Sequence, residues 1–141
     1  MARFLVVDDD RLCRELVRVL LAKYGRCDVA YDGHEAVAAF RIALEAGEPY
    51  DLVCLDVMMP RMDGHATLKS IRQLERGQGI LGSDGVQVIM LTATKDTKDC
   101  IRAFSEGCEN FLCKPIDKHT LAASVRELLP DLVLPETADT V

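Results

Sequence analysis

Two kinds of apolar pattern alternate along the chain. Residues 4–7, 27–31, 51–56, 86–91 and 110–113 form short runs, nearly unbroken or rich in β-branched residues, each too short for a helix and read as a buried strand. Between and after them, apolar positions recur at helical spacing. They are Leu12, Leu16, Val19 and Leu20, then Ala36, Val37, Phe40 and Leu44, then Leu68, Ile71 and Leu74, then Ile101, Phe104 and Cys108, and last Leu121, Val125, Leu128 and Leu129. Stop signals fall after these segments, at Gly25, at Gly47 with Pro49, at Gly107 and at Pro130. Asp9 or Asp10 can cap the first helix, and Asp63 directly precedes the third, read over residues 64–74.

Five strands alternating with five helices predict an α/β fold with right-handed parallel crossovers. The expected architecture is a flavodoxin-like doubly wound (βα)5 sandwich, whose parallel five-stranded sheet has the order 2-1-3-4-5. That order sets strands one and three side by side. The connection at residues 75–85, ERGQGILGSDG, is longer than such joints usually are and reads as a mobile surface loop. Residues 1–129 read as one domain and residues 130–141 as a short, flexible tail.

A chain of 141 residues that is 49% hydrophobic can bury a proper core, in keeping with one domain. The net charge of -6 argues against direct nucleic-acid binding, which needs clustered Lys and Arg. No apolar run approaches a membrane span and no signal peptide precedes the first strand, so the expected location is cytoplasmic, without membrane insertion. The six cysteines, Cys13, Cys27, Cys54, Cys100, Cys108 and Cys113, form no C-x-x-C pair and read as small, reduced, mostly buried side chains.

The chemistry gathers at strand ends. The first strand delivers Asp8, Asp9 and Asp10, and the third ends in Asp56, an expected exposed carboxylate at the functional edge of the sheet. Two unit charges about 4 Å apart repel by roughly 4 kcal/mol at an effective dielectric of about 20, so converging carboxylates call for protons or a cation. Mg2+ takes oxygen ligands, accepts one or two carboxylates and keeps several waters, which suits such a cluster.

Residues 55–64, LDVMMPRMDG, resemble the phosphoacceptor signature of the response-regulator receiver domains of two-component signalling. The resemblance covers essentially residues 3–129, closest to chemotaxis-regulator-like single-domain receivers. It implies that Asp56 takes a phosphoryl group from a sensor histidine kinase or histidine phosphotransfer protein. It further implies Mg2+ held by Asp9, Asp56 and the backbone carbonyl of Met58, with Asp8 acting largely through water. Lys114, before a proline joined by a cis bond, would be the fixed cation. Thr92 would hydrogen-bond the phosphoryl group, and Phe111, in place of the commoner Tyr, would turn inward with it. This would switch the face of helix four, strand five and helix five towards a partner protein.

Such a chain is a phosphoacceptor with slow autodephosphorylation, not a turnover enzyme. Met58 and Thr94 stand at the positions that tune phosphate lifetime in the family. The family's charged dimer positions correspond to Cys100, Asn110, Thr120 and Ser124, none of them charged, so the chain is expected to be monomeric. His34, His65 and His119 match no functional position and read as solvated helix-end residues. Onward transfer to a histidine phosphotransfer protein is the alternative output. A haloacid-dehalogenase-type phosphatase, suggested by Asp8-x-Asp10, fails at Leu12, and three carboxylates would repel the phosphate of a flavin.

Overall fold

The computed structural model describes residues 2–93 and 96–132. Along it run β1 (Ala2–Val7), α1 (Arg11–Leu21), β2 (Gly25–Ala30), α2 (Gly33–Glu45), β3 (Leu52–Asp56), α3 (Gly64–Gly77), β4 (Gln87–Thr92), α4 (Thr97–Ser105), β5 (Asn110–Cys113) and α5 (Lys118–Leu128), with a short 3-10 turn at Gly82–Asp84. The five strands are parallel in the order β2-β1-β3-β4-β5, as the alternation of patterns predicts.

Successive strand residues point to opposite faces, and this builds two cores. Leu5, Val7, Val53, Leu55, Val88 and Met90 pack with Ala36 and Phe40 of α2, Leu68 and Ile71 of α3 and Ala103 of α4. Phe4, Val6, Leu52, Cys54, Ile89 and Leu91 face the other way, onto Val17 and Leu21 of α1 and Leu121 and Val125 of α5. Every residue of β3 is buried, so the strand that carries Asp56 is the best fixed in the sheet.

An aspartate caps each of the five helices. Asp10, Asp32, Asp63, Asp96 and Asp117 accept from the backbone N–H of Leu12, Glu35, Ala66, Lys98 and Thr120. Each such bond satisfies an amide that the helix itself leaves unpaired and is worth about 1 kcal/mol.

Several expectations are corrected. Of the apolar stripe of α1, Leu12, Leu16 and Val19 are exposed and Leu20 packs partly buried against the core, while Val17 and Leu21 enter it. On α4, Ile101 and Phe104 are likewise exposed and Ala103 is the buried residue. β2 starts two residues earlier than the pattern suggests, and α3 runs three residues further, to Gly77.

The connection expected to be a loose loop begins in that extra turn. Glu75 is buried, pairs with Arg72 at 2.7 Å and accepts the Val86 N–H at 2.6 Å, pinning both ends of the segment. The six cysteines are free thiols, but against expectation two of them, Cys54 and Cys108, are buried and the other four are partly exposed. Among the described residues, no helix is long and apolar enough to cross a membrane. Tail residues 133–141 lie outside the described residues.

Candidate functional site

The register of the sheet builds the site. Val7 pairs with Leu55, which sets Asp8, just past the end of β1, next to Asp56, the last residue of β3. β4 ends in Thr92 opposite Cys113 of β5, and the Lys114 N–H donates to the Thr92 carbonyl at 2.6 Å. Four strand ends therefore deliver Asp8, Asp9, Asp56, Thr92 and Lys114 to one edge. The Lys114–Pro115 bond is cis, as the resemblance implies.

Within this edge, ligand oxygens of Asp8, Asp9 and Asp56 lie within 4.8 Å of one another. Lys114 Nζ reaches Asp8 Oδ2 at 2.8 Å and Asp56 Oδ1 at 3.3 Å. Asp8 is held from behind by the Asp10 N–H, at 2.9 Å, on its carboxylate and by Arg14 Nη1, at 2.9 Å, on its backbone carbonyl.

Asp56 is buried, not exposed, at 3% of its accessible surface, and Asp8 is wholly buried; Asp9 alone of the three faces solvent. The cause is local packing. Val57 and Met59 after Asp56 are themselves buried, and Gly64 folds the loop back so closely that a Cβ there would lie 2.4 Å from the Asp56 carbonyl oxygen. The Gly64 N–H donates to the Val57 carbonyl at 2.8 Å, and the Asp63 cap starts α3 immediately before it.

Burial and the charge of Asp8 push the Asp56 carboxyl up to about 7, against the pull of Lys114. Burial acts on Asp8 in the same sense, but hydrogen bonds from Lys114, the Asp10 amide and the Cys13 thiol outweigh it and hold Asp8 below its usual range. Lys114 is also desolvated, yet the two carboxylates raise its pKa and keep it charged. Cys13 is pushed up to about 12 by burial and by Asp8, so it stays a thiol.

The oxygen-only donor set fits a hard divalent cation. Asp8 Oδ2 is buried with Lys114 Nζ at 2.8 Å as its partner, and Asp9 sets a solvent-facing carboxylate beside it. Met58 donates its N–H to Asp56 Oδ1 at 3.3 Å and is itself 66% exposed. Thr92 is buried, and Phe111 is half-buried against the α2–α3 core. Thr94 lies outside the described residues.

Sequence reasoning missed Cys13 and Arg14, which share the first turns of α1 behind Asp8. Their signal was position alone, four and five residues past Asp9. It also misread His65, which is not solvated. The ring is buried and its Nδ1 lies 2.7 Å from Glu106 Oε1.

The profile of the family described as "Response regulator receiver domain" matches residues 4–126. The "DNA-binding dual master transcriptional regulator RpaA" of Synechocystis is 35% identical over 130 residues, 92% of this chain and 49% of that protein. "Response regulator MprA" of Mycobacterium tuberculosis is 38% identical over 128 residues, 90% of this chain and 50% of that protein. The chain thus spans about half the length of these curated relatives. Among solved structures, the Vibrio cholerae chemotaxis protein CheY4 superposes with a TM-score of 0.77 at 28% identity, covering 92% of this chain and 99% of that one.

Proposed function

Since the chain belongs to the response regulator receiver domain family, we propose that it accepts a phosphoryl group on Asp56 and answers by changing the surface it offers to a partner protein. Residues 1–129 would form the receiver and residues 130–141 a short tail. The observation that carries this reading is the geometry of Asp56, a buried carboxylate flanked by two further aspartates with Lys114 at 3.3 Å.

The donor is a phosphohistidine of a sensor kinase or a phosphotransfer protein. A carboxylate oxygen of Asp56 forms the new bond to phosphorus, and the phosphorus–nitrogen bond of the donor breaks with its electron pair left on the imidazole. Asp8, Asp9, Asp56 and the Met58 carbonyl would hold Mg2+, which when bound neutralises charge on the transferred oxygens. Lys114 then faces the new phosphoryl group as a fixed cation, and Thr92 supplies a hydroxyl. Asp8 remains ionised through the step because its own hydrogen bonds hold its pKa down. Phe111 follows Thr92 in altering the face of α4, β5 and α5.

Exposed Leu12, Leu16 and Val19 on α1, which starts beside the site, offer an apolar stripe for a donor protein to cover. The chain acts as a phosphoacceptor with slow loss of phosphate and not as a turnover enzyme. It works as a monomer, since two of the four dimer positions are occupied internally by the Asn110 Nδ2 to Ser124 Oγ hydrogen bond at 2.6 Å. Cytoplasmic localisation and a protein target, with no direct nucleic-acid contact, complete this stand-alone reading.

A second reading is favoured by the half-length match to regulators, one of them named as DNA-binding: the receiver would control an attached output domain. Relay to a phosphotransfer protein is the remaining output. Radiolabelled histidine kinases offered to the purified chain test the donor. Hydroxylamine-labile label on the chain supports an acyl phosphate, and no transfer from any kinase of its own genome would contradict it.

A further inference from the structure

Beyond the phosphoacceptor site, a buried polar contact joins α3 to α4, a helix that gives the core one buried side chain, Ala103. His65 is the second residue of α3, and Glu106 caps the C-terminus of α4. His65 Nδ1 and Glu106 Oε1 are 2.7 Å apart, with side-chain exposures of 3% and 10%. The same carboxylate draws Arg102 Nε to 3.2 Å and Lys69 Nζ to 3.3 Å, so α3 contributes two groups to the cluster and α4 with its cap contributes the other two.

Each end of this contact leads to the site. His65 directly follows Gly64, which is packed on the Asp56 carbonyl, so the ring sits one residue from the turn that closes on Asp56. α4 begins in the segment that follows Thr92. Of the nine residues of α4, Ala103 is the buried one, while Ile101 and Phe104 face solvent. A helix with so little apolar anchorage lies at the low end of local stability, and a polar contact can decide its position.

A stability role alone does not account for the pair. Among the described residues His65 Nε2 is buried without a hydrogen-bond partner, which costs free energy that an apolar residue would not incur. Apolar replacements for buried ion pairs are often neutral or stabilising, so stability by itself gives little reason for this one. We propose that the His65–Glu106 contact is a latch that fixes α4 against α3 and makes the position of α4 answer to the state of Asp56. The proposal rests on the phosphoacceptor reading.

Beryllofluoride with Mg2+, a stable mimic of an aspartyl phosphate, provides the test. Its binding is followed by fluorine NMR, the α4 amides by hydrogen exchange and stability by denaturant midpoint. The wild type should bind the mimic and change its α4 exchange on binding. His65→Leu combined with Glu106→Leu should fold with a similar midpoint and still bind the mimic. Its α4 amides should exchange about tenfold faster in the free protein and no longer respond to binding. His65→Phe, which keeps a ring of similar size but offers Glu106 no hydrogen bond, gives the same reading if the apolar pair does not fold. An unaltered α4 response in the variants, or no response in a wild type that binds the mimic, overturns the latch alone. A wild type that binds no mimic overturns the phosphoacceptor reading and the latch with it.

Discussion

Asp56 works against the stability of its own fold. Its carboxyl is raised to about 7 from an ordinary 3.8, so between those values the folded chain keeps a proton that the unfolded chain has released. Stability therefore falls as pH rises from about 4 to 7. Asp56→Asn cannot ionise and is expected to be the more stable form at pH 7 in metal-free buffer, by on the order of 1–3 kcal/mol, and equal to the wild type near pH 4. Denaturant titrations at the two pH values measure this, and a gap that does not widen with pH would contradict it. A second local cost sits at Arg61, which is 71% exposed in its side chain and holds φ at 67°, a conformation that side chains with a Cβ disfavour. Its ion pair with Asp32 of the α2 cap, at 3.3 Å, leaves the arginine largely in solvent and compensates little. Arg61→Gly is expected to raise stability by about 0.5–1 kcal/mol, and a drop in the denaturation midpoint would show that the pair matters more than the backbone.

At the scale of elements, the turn from β3 to α3 is the part most sensitive to substitution. A Cβ at Gly64 would meet the Asp56 carbonyl oxygen at 2.4 Å and the Val57 Cα at 2.8 Å, both backbone atoms that cannot swing aside, whereas one at Gly77 would meet nothing within 4 Å. Gly64→Ala is therefore expected to cost about 1–3 kcal/mol and to weaken Mg2+ binding, while Gly77→Ala is harmless or slightly stabilising. Thermal melts and Mg2+ titrations of the two variants check it, and equal behaviour would sink the argument. The order of elements was legible because strand runs and helical spacing differ in period, and the strand order placed Asp8, Asp9 and Asp56 together. The inward face of α1 was not legible. That helix carries two apolar stripes, Leu12-Leu16-Val19 and Cys13-Val17-Leu21, and periodicity alone does not say which one meets the sheet. His65 escaped for a related reason, since its partner Glu106 is 41 residues away and no local pattern links them.

On the scale of the whole molecule, the two cores hold a rigid sheet whose C-terminal edge gathers the acidic residues and Lys114, while α1 and α4 keep apolar side chains outside. The burial of Asp56 could not be read from the sequence, because it arises where Gly64 and the residues after β3 close over the strand end. Every role proposed for this edge of the sheet depends on Asp56 being the residue that carries phosphate. Intact-mass measurement after incubation with acetyl phosphate and Mg2+, followed by mapping of the modified residue, tests that most directly. The expected result is one Mg2+-dependent phosphoryl group on Asp56, absent from Asp56→Ala; incorporation that survives this substitution undiminished would contradict the account.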